Sequence, residues 1–199
     1  MIDDGDGVPK HLQRTVFEPR VTSKLDSMHM DKWGVHGRGM ALYSIAVNAE
    51  SATISASDSG LGSAFVIQTD LNKLPEKTDQ SSFPTFELNE AGTVAVRGPK
   101  NILRTACEFA IESRAAVNVF IGSSTDIAAT LYAFGLGKLS AEDRLSGKND
   151  SRLPICKRLS ACSSLSAFHQ TAESLGLLMS ERSARRILDG QIAPLSPLL

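Results

Sequence analysis

Hydrophobic and polar positions change their period three times along this chain. Near the N-terminus, Ala52 to Ser57 and Ala64 to Thr69 alternate on either side of Asp58-Ser59-Gly60-Leu61-Gly62. Period-two alternation around a glycine-containing turn predicts a hairpin. Further on, Phe86 and Leu88, then Thr93 to Val96, predict two strands joined at Asn89-Glu90-Ala91-Gly92. Gly98-Pro99 then opens a helix, with Pro tolerated in a first turn and Ile102, Leu103, Ala106, Phe109 and Ala110 on one face. Val117, Val119 and Ile121 alternate as a third strand, and Ser123-Ser124 caps a helix carrying Ile127, Ala128, Leu131 and Phe134.

Residues 139–164 are polar and Ser-rich, a predicted loop with a short helix from Pro154 to Leu159. From about 165 to 190 the period is helical again, and Pro194 and Pro197 end it. The pattern divides the chain into residues 1–72, a polar linker at 73–84, a small α/β unit at 85–148 and a helical tail at 149–199. The fold class expected is α+β.

At 199 residues, with 42% apolar and 22% charged positions, the chain is long enough to bury a core. Its net charge of -1 recruits no polyanion globally. The tail differs, because its last 49 residues carry six Lys/Arg against three acids, a net +3 that leaves -4 for the rest. A polyanion contact would therefore be local to the C-terminal region. Cys107, Cys156 and Cys162 are odd in number and form no Cys-x-x-Cys pair, which favours a reducing compartment and plain thiols over disulfides or a zinc site. With no secretory-type leader and no apolar run near the roughly 18 residues of a membrane span, a cytoplasmic location without membrane contact is expected.

The first candidate chemistry lies in Met1-Ile2-Asp3-Asp4-Gly5-Asp6-Gly7-Val8-Pro9. Its Asp-x-Gly-x-Gly resembles the adenine-binding box of the GHKL ATPases, the gyrase, heat-shock chaperone, histidine kinase and mismatch-repair group. Val16-Phe17-Glu18-Pro19 resembles the Phe-Glu-Pro box of the histidine-kinase members, with Arg20 where a second Phe is usual. A polar stretch from Val21 to Lys32, suited to a lid, precedes Trp33-Gly34-Val35-His36-Gly37-Arg38-Gly39-Met40-Ala41-Leu42. That segment is similar to the family's second glycine box, with Ala41 replacing its third Gly. Gly60-Leu61-Gly62-Ser63-Ala64-Phe65 resembles the closing Gly-x-Gly-Thr-x-Phe strand pair.

The resemblance covers about the first 70 residues. It implies the C-terminal half of a GHKL-type α/β sandwich that binds ATP or ADP. Asp3 would accept from the adenine amino group, Gly5 and Gly7 would let the backbone approach the ring and sugar, Gly37 and Gly39 would face phosphate, and Ser63 would complete the site. Asp58 to Gly62 repeats the first box's letters but reads as the hairpin turn. The family's Mg²⁺-binding Asn and its water-activating acid lie upstream of the first box, and only Met1 and Ile2 precede Asp3 here. The chain is therefore expected to be a piece of a longer protein, the alternative being a degenerate relative of the family. No catalytic residue is assigned, and neither hydrolysis nor autophosphorylation is expected from these residues alone.

The second candidate is the tail, where Phe168 to Gly176 and Met179 to Leu188 resemble a helix-turn-helix. Ser-x-x-Ser-Ala-Arg-Arg-Ile-Leu is similar to the second helix of citrate/malate-type response regulators, although the turn is about two residues longer than that pattern has. Ser180 can cap this helix and Asp189-Gly190 can stop it. Helical spacing groups Ala184, Ile187 and Leu188 on one face and Arg182, Arg185 and Arg186 on another. That division suits a major-groove reader of duplex DNA, and it equally suits a terminal helix with a solvated or subunit-packing face.

Lesser candidates have plain alternatives. Gly122-Ser123-Ser124-Thr125 could hold an anion or simply cap a helix, and His36 could touch phosphate or solvent. His11, His29 and His169 show no ligand spacing, and no metal site is expected. The leading expectation is an ATP-binding signalling or regulatory protein of two-component, histidine-kinase-like type. The rivals are a non-enzymatic transcriptional regulator with the sandwich as scaffold, and a fragment with neither activity whose uncovered sheet face drives oligomerisation. Residues 85–148 resemble no family.

Overall fold

The computed structural model describes residues 1–21, 30–31, 34–35, 40–70, 72, 79, 81–90, 92–140 and 152–199. It is a mixed α and β protein. The elements are β1 (Ile2–Asp3), β2 (Met30–Asp31), β3 (Gly34–Val35), α1 (Ala41–Asn48), β4 (Ser51–Ser57), β5 (Ser63–Gln68), β6 (Thr85–Leu88), β7 (Val94–Arg97), α2 (Ile102–Glu112) and α3 (Ser124–Lys138). A short α4 (Ile155–Arg158) runs into a 3₁₀ turn (Leu159–Ala161), followed by α5 (Leu165–Ser174) and α6 (Glu181–Leu188).

The hairpin expected around Asp58 to Gly62 forms between β4 and β5, and β1 joins its far side, giving the antiparallel order β1-β5-β4. Ile2 lies opposite Ala64, and Ala64 opposite Ala56, so these three share one face. They meet a core of Ala128, Ala129, Ile155, Leu159, Phe168, Ala172, Leu175, Leu177, Ala184 and Ile187. This core draws on the N-terminal sheet, on α3 and on the tail helices together. Phe168 is fully buried at its centre, with the Tyr132 ring 5.6 Å away edge-on. Burying such a ring contributes about 1.5–3 kcal/mol.

β6 and β7 pair as predicted, Phe86 opposite Val96 and Leu88 opposite Val94. Three other expectations need correction. α2 begins at Ile102, and its cap is Asn101 rather than a Pro99 first turn: the Asn101 side chain accepts from the Arg104 N–H at 2.8 Å. The same buried side chain donates to the Asp79 and Ser82 carbonyls, 2.9 Å each. Of the expected linker 73–84, this end is tied to the helix it precedes.

The buried face of α2 is also rotated from expectation. Cys107 and Ala110 are buried, whereas Ile102 and Phe109 stay 74% and 45% exposed. Small side chains at 107 and 110 let the helix approach β7 closely. Finally, the predicted third strand at 117–121 pairs with no strand among the described residues. Val119 O accepts instead from the Leu198 N–H at 2.7 Å, because the C-terminal segment folds back beside it. No helix of the described residues is long and apolar enough to cross a membrane.

Candidate functional site

Strand alternation sets the first site. Since Ile2 faces the core, Asp3 faces the other way, opposite Ser63 in β5, which in turn lies opposite Ser57. On this second face Phe65 meets the edge of Phe17, ring centroids 6.3 Å apart, so the segment after the first box folds over it. Asp3 is half-buried, and its Oδ1 accepts from the Gly5 N–H at 3.0 Å.

The loop after Asp3 lies on the hairpin turn. Gly60 N–H donates to Asp6 O at 2.6 Å, and Lys10 Nζ reaches Asp58 Oδ2 at 3.2 Å. Gly7 has φ +73°, and a Cβ there would come within 1.9 Å of Asp58 O. Glycine at 7 thus has a packing reason of its own. Ser63, expected at the nucleotide, is 3% exposed and bonds Ser57, Oγ to Oγ at 3.0 Å. Gly37 and Gly39 lie outside the described residues, as do Trp33, His36 and most of the expected lid. α1 starts at Ala41, within that second box, and its N-cap, Met40, supplies no side-chain hydrogen bond.

The tail forms the two expected helices. Ser164 caps α5, accepting from Ala167 N–H at 3.2 Å, and Ser180 caps α6, accepting from Ser183 N–H at 3.1 Å. Ala184 and Ile187 are buried and Leu188 half-buried, while Arg182, Arg185 and Arg186 are exposed. The long turn has a physical cause: Leu175 and Leu177 are both buried, and Gly176 between them rests on Val66 of β5. Sequence spacing did not single out His169 for this region, yet its Nε2 bonds Met179 O at 2.8 Å and ties α5 to the residue before the α6 cap. Glu181 borders the basic face, lining a surface hollow of about 230 Å³ with Arg182 and Arg185.

At 122–125 capping chemistry is what forms. Ser123 and Asp126 make a reciprocal capping box, and the Asp126 carboxylate takes both the N–H and the hydroxyl of Ser123. A side-chain anion therefore already takes two of the donors that an outside anion would use, the Ser123 N–H and hydroxyl. The three cysteines are free, and burial raises the pKa of each thiol, with Asp4 adding to the effect at Cys156. Plain thiols, as read from the sequence, fit this chemistry, and burial lowers their reactivity.

Sequence reasoning missed Gln13 and Ser57, which hold the first box by hydrogen bonds to residues five and 49 positions away. Gln13 lies in a stretch without a periodic signal, and the alternation that places Ser57 in a strand says nothing of the bonds its hydroxyl and carbonyl make across the chain, so no pattern could have found them. Comparison of the chain with models of protein families, with curated proteins and with solved structures gives no match.

Proposed function

We propose that this chain is an adenine-nucleotide-binding regulatory protein of GHKL, histidine-kinase-like type, built on part of that family's α/β sandwich. One observation carries it: Asp3 and Ser63, sixty positions apart, are direct cross-strand partners on the face turned away from the helical core. The segments that resemble the family's first box and closing strand pair thereby lie in one three-stranded sheet, which supports the reading. Asp3 would accept from the adenine amino group, and Gly5 would lie beside the base and sugar. Phosphate binding would fall to Gly37 and Gly39 before α1. ATP hydrolysis by this chain alone is not proposed.

The test is calorimetric titration of ATP and ADP, with and without Mg²⁺, into the chain and into Asp3→Asn. Binding in the parent that is lost in the variant is the expected result. No heat from either would end the nucleotide proposal.

A second function is favoured by a different observation, the capped α6 with its apolar face buried and three arginines outward. We infer that α6 reads duplex DNA, as the response-regulator resemblance implies, with α5 docked behind it. DNA binding with no nucleotide affinity would make the chain a transcriptional regulator using the sheet as scaffold. Ile45, Val47 and Ile67 are also exposed, at 38%, 63% and 40%. Self-association through these apolar side chains of α1 and β5 is part of the proposal, and sedimentation of a well-behaved monomer would count against it.

A further inference from the structure

The first box is gripped at both ends of one residue. The Val8 N–H donates to Ser57 Oγ at 2.6 Å, and the Val8 carbonyl accepts from Gln13 Nε2 at 2.9 Å. The same Gln13 amide group sends its second hydrogen to the Ser57 carbonyl, also at 2.9 Å. One side-chain amide has two donors, and here both close a ring that runs Val8, Ser57, Gln13. The Ser57 hydroxyl, while accepting from Val8, lies 3.2 Å from Gly62 O and 3.0 Å from Ser63 Oγ, so its single proton goes to one of them. Ser57 thus links the loop after Asp3 to the strand that pairs with Asp3. The ring is half-buried, where such bonds are less exposed to competition from water than at the open surface.

We propose that Gln13 and Ser57 are positioning residues for the nucleotide site: they hold the Asp4 to Val8 loop in the shape that receives the base and sugar. This rests on the nucleotide function proposed above. Neither side chain needs to touch the ligand. Without the ring, Val8 loses the partners of both its backbone groups, and the loop samples shapes that must be reordered when ATP binds.

The experiment is calorimetric titration of ATP into the parent chain, Gln13→Ala and Gln13→Glu. The Glu variant keeps the size of Gln13 but cannot donate to two carbonyls at neutral pH. Both variants should raise the Kd about tenfold at unchanged stoichiometry, the loss of roughly 1.4 kcal/mol expected from two net hydrogen bonds. Irreversible misfolding would instead lower the stoichiometry and leave Kd as in the parent, and circular dichroism of the ligand-free variants that matches the parent excludes reversibly unfolded chain as the cause of a raised Kd. Parent binding with an unchanged Kd in both variants overturns this inference and leaves the nucleotide function standing. A parent that binds no ATP overturns both.

Discussion

Gly176, in the turn between α5 and α6, rests against Val66 of β5 so closely that a Cβ at 176 would lie 2.2 Å from Val66 Cγ2. The helical pair is therefore seated on the same sheet whose other face carries Asp3. Leu61 O adds a second tie, accepting from the Ile155 N–H at 2.8 Å where the hairpin turn meets α4. Nucleotide and DNA binding would be coupled across this sheet only if each ligand favoured a different seating of the helices.

Gly176→Ala should destabilise the fold by about 2–4 kcal/mol, because φ of +79° disfavours a Cβ and the new methyl overlaps Val66. Combining it with Val66→Ala relieves the overlap but not the backbone strain. Urea unfolding of the four chains should show non-additivity of about 1 kcal/mol or more. Strict additivity would mean that the two residues do not meet.

Asn101→Ala removes the α2 cap and both donors to the Asp79 and Ser82 carbonyls. The expected loss is about 2–3 kcal/mol. Asn101→Ser keeps a capping hydroxyl without those donors and should recover about 1 kcal/mol of it. Equal stability of the Ser and Ala variants would remove the cap from the explanation.

Acid should weaken the segment around Asp79. Hydrogen bonds from the Ser82 and Ser81 hydroxyls, then from their backbone N–H groups, hold its carboxyl well below the usual carboxylate range. A depressed folded-state pKa gives a contribution complete above the unfolded value of about 3.9 and lost as pH falls below it. Asp79 is exposed, so the effect is modest. Urea midpoints measured from pH 5 downward should fall more steeply for the parent than for Asp79→Asn, and parallel slopes would contradict this.

Cys107 and Cys156 should resist Ellman's reagent in the folded chain and react readily in urea. Both are buried, and burial raises each thiol's pKa, so the thiolate is scarce and shielded. Native modification within an order of magnitude of the unfolded rate would show that this part of the core opens freely.

Arg182→Ala, Arg185→Ala and Arg186→Ala should each leave stability within about 0.5 kcal/mol, since all three side chains are exposed. If α6 lies against duplex DNA, each variant should also lower the slope of log K against log salt by about one where it removes a phosphate contact. Anisotropy titrations at several salt concentrations measure this, and parent-like slopes in all three would leave the arginines as a solvated face.

The sequence by itself determined what depends on near neighbours. The β4–β5 and β6–β7 hairpins follow from alternation around Gly-containing turns, and the caps Ser123 and Ser180 act within three residues. The inward face of α6 follows from helical period alone. Only the tertiary structure decided that Ile2, Ala64, Phe168 and Ile187 share one core, which places the tail on the sheet instead of beyond a linker. It also left 117–121 outside any sheet among the described residues, because a strand needs a partner strand and Val119 O instead takes the Leu198 N–H. The same physics hid Gln13 and Ser57: a side chain that bonds across more than forty residues leaves no local period. Asp3 was legible as a motif, but its pairing with Ser63 is a matter of register, set when the apolar side of β1 found the core.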